Sequence, residues 1–138
     1  MKNLILSCLL LIASICVSQS PKPDLAALPS TDEVSLTLKG LSLENKISQK
    51  QLIDLKQLDL KGDNAAKYKI IYYHFKTTYK RTTSVDEFYN NLITPVMTQF
   101  FTDLESNCKI MYEDVVVQNI ETGKQFKLAP LFVIVKLD

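Results

Sequence analysis

Between Val34 and Lys39 apolar and polar side chains alternate, with Val34, Leu36 and Leu38 set against Ser35, Thr37 and Lys39. A period of two puts one set on a buried face, so the spacing predicts a strand. Past Gly40 the phase inverts to Leu41 and Leu43, and a glycine at such a change predicts a bulge or tight bend. From Ile47 to Asp63 the pattern supports two readings. Leu52, Leu55 and Leu58 suit a helical turn, whereas Ile53, Leu55, Leu58 and Leu60 suit strands, and the segment stays open. Lys61-Gly62-Asp63-Asn64 is a turn.

Lys67 to Arg81 is rich in β-branched and aromatic residues, the composition of a long strand. Its middle, Ile70 to Phe75, is apolar at both phases, as in an interior strand covered on each side or in one carrying a bulge. A helix follows: Thr94 can cap it, Pro95 fits its first position, and Met97, Phe100, Phe101 and Leu104 recur at the spacing of one buried face. Asn107 is a plausible stop. Ile110 and Tyr112 then share one phase and Val115 and Val117 the other, with Glu113-Asp114 at the change, which predicts a bulged strand. Glu121-Thr122-Gly123-Lys124 turns the chain into Phe126, Leu128 and the run Leu131 to Val135. That last strand reads as two-sided and interior, with Ala129-Pro130 breaking its pairing.

With 138 residues and 46% apolar side chains, one globular domain is expected. Lys2, the apolar run Leu4 to Val17 and then Ser18-Gln19-Ser20 have the layout of a secretory signal peptide, with cleavage expected after Ser18. Lipidation at Cys8 or Cys16 is disfavoured, because Cys8 lies too near the start and Cys16 follows the bulky Ile15. No later segment is long and apolar enough to span a membrane as a helix. The expected organisation is a signal peptide over 1–18, an extended linker over 19–33 carrying Pro21, Pro23 and Pro29, and one domain over 34–138. Its fold class is mainly β (α+β): a small β-sandwich-like domain with one packed amphipathic helix at about residues 94–105. The protein is expected in the periplasm or outside the cell.

Loss of Lys2 from the 16 basic residues leaves 15 against 15 acidic ones, which gives no electrostatic basis for steering toward nucleic acid. The tyrosines 68, 72, 73, 79, 89 and 112, interleaved with Lys67, Lys69, Lys76 and Lys80, read as a half-buried sheet face rather than a base-stacking platform. Only Cys108 remains after cleavage, so no intramolecular disulfide forms, and a buried small hydrophobe is the expected role of that thiol. His74 is the only histidine, so a Cys-His pair could only be Cys108-His74, and His74 is expected instead as a packed, hydrogen-bonded strand residue. Glu113 and Asp114 would diverge on a regular strand, and they are expected to sit at a bulge or to bond nearby backbone rather than to act as an acid/base pair. Asp54, Asp59 and Asp63 are scattered, and neither a zinc-ligand spacing nor a Gly-rich phosphate loop is present. No catalytic, cofactor-binding or metal residue is assigned.

The unit Ile110-Met111-Tyr112-Glu113-Asp114-Val115, Thr122-Gly123-Lys124 and Leu128-Ala129-Pro130-Leu131, preceded by the Thr94-Pro95 helix, resembles the C-terminal domain of the GldM family. Ile47 to Leu52 is similar to an Ile-Ser-Lys-rich segment of that family, so the resemblance spans roughly Ile47 to Leu137. GldM is the inner-membrane-anchored shaft of the type IX secretion and gliding machinery of Bacteroidetes. The resemblance implies a non-enzymatic, exported interaction module whose protein partners include outer-membrane-associated ring components. Shaft proteins of that family are dimeric through domains this sequence lacks, so a monomer or weak dimer is expected. The resemblance supplies no catalytic residues, and a cleavable leader stands where GldM has its upstream domains and membrane helix. The alternative from a different class is an unrelated secreted binder, an inhibitor-like or carbohydrate-surface module.

Overall fold

A computed structural model describes residues 21–137, so the expected signal peptide and its cleavage site lie outside the described residues. The elements in chain order are β1 (Ser35–Thr37), β2 (Lys46–Ser48), α1 (Gln49–Asp54), β3 (Asp59–Lys61), β4 (Tyr68–Tyr79), β5 (Thr82–Phe88), α2 (Pro95–Thr102), β6 (Cys108–Asn119), β7 (Gln125–Lys127) and β8 (Leu131–Lys136). Six strands form one sheet in the order β2-β8-β6-β4-β5, with β7 also paired to β6, and β1 and β3 form a second, two-stranded sheet. The fold is mainly β, as expected.

One core joins the two sheets. Val34, Leu36 and Leu38 of the small sheet, Leu52, Leu55 and Leu58 around α1, and Met97, Phe101 and Leu104 of the α2 region pack with the inner face of the large sheet. The open segment 47–63 resolves into a little of each reading. Ile47 is buried in a short strand parallel to β8, Leu52 in a helical turn, and Leu58 next to a short third strand. Ser48 caps α1, its hydroxyl accepting from the Gln51 amide while the Gln51 side chain accepts from the Ser48 amide. Gly62 has φ +128°, and a Cβ there would lie 2.5 Å from the Glu33 carbonyl oxygen, so the turn into β4 requires glycine.

Helix α2 starts as expected, with the Thr94 hydroxyl accepting from the Met97 amide at 3.3 Å and Pro95 in the first turn. It ends at Thr102, three residues short of the expected boundary, and Leu104 is buried beyond its last turn. The early end is stabilised across the fold: the Gln49 side-chain amide donates to the Phe101 carbonyl at 2.7 Å, and to those of Thr102 and Leu104 at 3.3 Å. The first two are carbonyls that a helix C-terminus leaves without intrahelical partners.

Strands β4 and β6 form the centre. Their register changes twice, between Ile70 and Tyr72 and between Tyr72 and His74. Ile71 is the extra residue on β4, and on β6 Asp114 with Val115 opposes the single Tyr73 of β4, so the two bulges cancel and the pairing is the same at both ends. Each bulge flips a phase. Tyr68 and Ile70 face the core before Ile71, and Tyr73 and Phe75 face it afterwards; on β6, Ile110 and Tyr112 give way to Val115 and Val117.

Three expectations need correction. β8 is interior to the sheet but covered on one side only: Val133 and Val135 are buried while Phe132 and Ile134 are 58% and 36% exposed. β5 was not expected, because its connection to β4 is a two-residue loop of Lys80 and Arg81, both at positive φ, with none of the Asn or Gly residues that announce such hairpins. The expected linker is partly docked: the Thr31 amide donates to the Lys127 carbonyl at 3.1 Å and the Lys127 amide to the Pro29 carbonyl at 2.8 Å.

Phe101 is fully buried and Phe100 only partly so. Replacing Phe101 by Ala is therefore expected to lower the unfolding free energy by about 3–5 kcal/mol, and Phe100→Ala by less. Chemical denaturation of both variants checks the order. The Tyr112 hydroxyl is buried without a hydrogen-bond partner, and burial raises its pKa well above the usual phenol value. Removing that hydroxyl in Tyr112→Phe relieves a desolvation cost of about 1–3 kcal/mol, so the variant should melt at or above the wild-type temperature.

Candidate functional site

Two features of the large sheet's outer face could carry function. The first is a polar cluster built around the β6 bulge. Asp114 sits in the left-handed region at φ 50°, a conformation aspartate tolerates better than most residues but which still costs about 1 kcal/mol or more. Its carboxylate accepts from His74 Nδ1 at 3.0 Å and lies 3.3 Å from the Lys127 ammonium of β7. Glu113, beside it, reaches toward Lys76 at 4.0 Å. The two acids sit at a bulge, as expected, and it turns Asp114 to the same outer side as Glu113.

His74 Nε2 lies 2.8 Å from the Tyr72 hydroxyl and 3.2 Å from Glu87 Oε1 on β5. Glu87 also pairs with Lys22 and accepts from the Tyr89 hydroxyl at 3.2 Å. The Lys22 hydrogen bond, with His74 second, holds the Glu87 carboxyl at about 2, far below the usual carboxylate range. Lys22 stands 5.8 Å from the centre of the Tyr72 ring, and Tyr89 meets that ring edge-on at 5.3 Å. Residues from the linker before β1, the leader of this domain (Lys22), and from β4, β5, β6 and β7 are therefore joined in one network around the imidazole.

Asp114, His74 and Tyr72 line up as a carboxylate, an imidazole and a hydroxyl, the order of a nucleophilic relay. The last member does not suit that chemistry. Tyr72 is fully buried, and desolvation raises its pKa, so its oxygen is a poor nucleophile and is shielded from solution. What the arrangement does is hold: it ties the leader and three neighbouring strands to the strained bulge. His74 is thus the packed, hydrogen-bonded residue its strand position suggested.

Cys108 is not part of it. It points into the core near the other end of β6, and burial pushes its thiol up to about 11. Glu113, opposite His74, is five residues along β6 from Cys108, which is roughly 17 Å on an extended strand, so the Cys108-His74 pair does not form. Among the described residues no group of three or more His, Cys, Asp and Glu side chains could hold a metal ion. Glu87 and Asp114 address opposite nitrogens of the one ring and so do not face a common centre. Asp54, Asp59 and Asp63 remain apart from this cluster.

The second feature is the other half of the same face. Val85, Lys76, Met111 and Phe132 stand opposite one another across β5, β4, β6 and β8, and the next row runs Thr83, Thr78, Lys109, Ile134 and Lys46. Val85 is 50% exposed, and shallow depressions border Lys109 on both sides, one reaching Phe132 and the other Ile134. The leader and Tyr89 cover Tyr72, whereas these two rows are open to solvent. Nothing in the pattern of β8 distinguished this bare face from a covered one, because Leu131 to Val135 is apolar at every position.

No protein-family model matches the chain, and no curated protein matches it. No helix among the described residues is long and apolar enough to cross a membrane.

The depressed Glu87 carboxyl has a definite pH signature. A carboxylate held below its usual value stabilises the fold above that value, about 4.5, and loses the contribution as pH falls toward about 2. The melting-temperature gap between wild type and Glu87→Gln is therefore expected at pH 6 and should close between about pH 4.5 and 2. Thermal melts of both proteins across that range check it.

Proposed function

We propose that this chain is an exported, non-enzymatic protein-interaction module that acts as an accessory to a type IX secretion or gliding machinery. The observation that carries the interaction reading is the bare outer face, where Val85, Phe132 and Ile134 are exposed in two adjoining rows. Contiguous exposed apolar side chains on a folded domain mark partner surfaces more often than isolated ones do. Lys109 stands among them, whereas Lys76 and Lys46 already face Glu113 and Glu44, so the face suits a partner surface that is apolar with an acidic side chain opposite Lys109. The placement in the secretion machinery rests on the resemblance of Ile110 to Val115, Thr122 to Lys124 and Leu128 to Leu131 to the GldM unit; in the fold these stretches are part of the bulged strand β6, the turn into β7, and the break that leads into β8.

The test is crosslinking and affinity capture in the protein's own host, comparing wild type with a Phe132→Ser, Ile134→Ser double variant. Both side chains are solvent-exposed, so the variant should melt close to wild type, within about 0.5 kcal/mol per site. Wild type is expected to capture outer-membrane ring components, and the variant to lose roughly tenfold or more of that capture, a loss of about 1.4 kcal/mol. Capture of other proteins only, or equal capture by the variant, overturns the reading.

A further inference from the structure

A second surface lies at the β5 edge of the sheet. β5 ends the strand order, and Thr82 to Glu87 are all exposed. The two-residue loop makes Tyr79 and Thr82 a hydrogen-bonded pair, and the alternation that follows leaves the backbone groups of Thr83, Val85 and Glu87 directed away from β4. Beside this edge, unpaired among the described residues, a cleft of about 200 Å³ runs on the core side between β5 and α2. Phe75, Phe88, Val96, Met97 and Phe100 line it, and Val96 is 74% exposed. Its polar members differ in state. Thr77 and Ser84 satisfy each other at 2.8 Å, while Asp86 has no ion pair among the described residues.

We infer that the β5 edge and the α2 cleft together bind an extended segment of a partner polypeptide. The segment pairs as an added strand with Thr83, Val85 and Glu87, places one bulky apolar side chain against Phe88, Val96 and Phe100, and faces Asp86 with a Lys or Arg two residues away. Strand addition supplies the backbone hydrogen bonds, and alternate side chains supply the selectivity. Residues two apart on a strand share a face about 6.6 Å apart, which lets one segment satisfy both the apolar cleft and Asp86. The cleft is smaller than the roughly 300–1,000 Å³ of sites that enclose small ligands, and a single side chain suits it better. The unpaired carboxylate sets the sign of the occupant's charge.

This surface shares Thr83 and Val85 with the bare outer face, but uses their backbone groups rather than their side chains, and the Phe132 and Asp86 variants keep the two apart. The protein is screened against a displayed library of random 12-residue peptides, and an enriched peptide is synthesised for affinity and hydrogen-exchange measurements. The expected peptides carry Leu, Ile, Met or Phe two positions from Lys or Arg, and slow amide exchange at Thr83, Val85 and Glu87. Val85→Pro removes an edge donor without touching the β4 ladder, and Val96→Glu places a charge at the cleft on an exposed helix position; each should weaken binding roughly tenfold or more. Asp86→Asn should weaken it and flatten its salt dependence, whereas Phe132→Ser should leave it unchanged. Melting curves confirm that each variant is folded. Failure to enrich any peptide, protection elsewhere than β5, or a dimer paired through β5 that Val85→Pro dissolves, each overturns the inference.

Discussion

The two opposed bulges at the centre of the large sheet are the constraint on which the rest of the structure depends. A one-residue phase flip in β4 alone would turn every later side chain of that strand to the wrong face. The flip at Ile71 is tolerated because β6 flips opposite it, so Tyr73 and Phe75 on one strand and Tyr112 and Ile110 on the other still reach the same core. Tyr72 and Tyr73, or Val115, Val116 and Val117, are buried consecutively because both faces of the sheet are covered there. Tyr72 and Val116 are buried on the outer face, away from the main core.

From the bulge follows the division of the sheet. Along β6, the side away from β4 pairs with β8 over Cys108–Tyr112 and with β7 over Val116–Gln118, and the bulge falls in the gap. Ala129-Pro130 sits at that gap, where a residue lacking an amide proton loses nothing, and the Leu128 amide donates to the Val115 carbonyl at 2.9 Å to close it. On the outer face the same point separates two regimes. On the Tyr72 side, the leader covers the sheet, and Asp114, His74, Glu87 and Lys22 hold that cover down. On the Phe132 side, the sheet is bare. Asp114 is thus both the strained residue that makes the bulge and the acceptor that His74 and Lys127 require, which gives a physical reason for aspartate rather than glycine at a left-handed position.

Much of the fold was legible where one period dominated. The alternation in Val34 to Leu38, the Thr94-Pro95 cap and the phase change at Glu113-Asp114 all describe the structure, because each is a local pattern with a local cause. The failures share a different origin. β5 is nearly all exposed and polar, and its turn uses Lys80 and Arg81 in a conformation normally left to Asn and Gly, so neither periodicity nor turn chemistry announced it. Burial of β8 depended on whether another layer covers its outer face, which no run of apolar letters encodes. The His74 cluster was missed for the same reason. It joins residues up to 65 positions apart, Lys22 to Glu87, and its convergence depends on a register set by the bulge. The bulge itself was readable, however, and it was the one feature capable of aligning Glu113 with Asp114.

The two edges of the sheet are protected unequally. β2 is three residues long, carries Lys46 and runs straight into the capped helix α1, so little backbone is left for another strand. β5 is seven residues long and straight enough to pair with β4 throughout. Charge is what guards it, and only in part, because Glu87 is already neutralised by Lys22 whereas Asp86 is not. In-register parallel pairing of two β5 strands would set one Asp86 against another, an arrangement that like charges oppose. A strand presenting a cation at that position meets no such opposition and gains the apolar cleft beside it. The edge thus discourages one self-pairing while remaining open to a complementary segment, which is how an exposed strand can serve recognition without inviting that mode of aggregation.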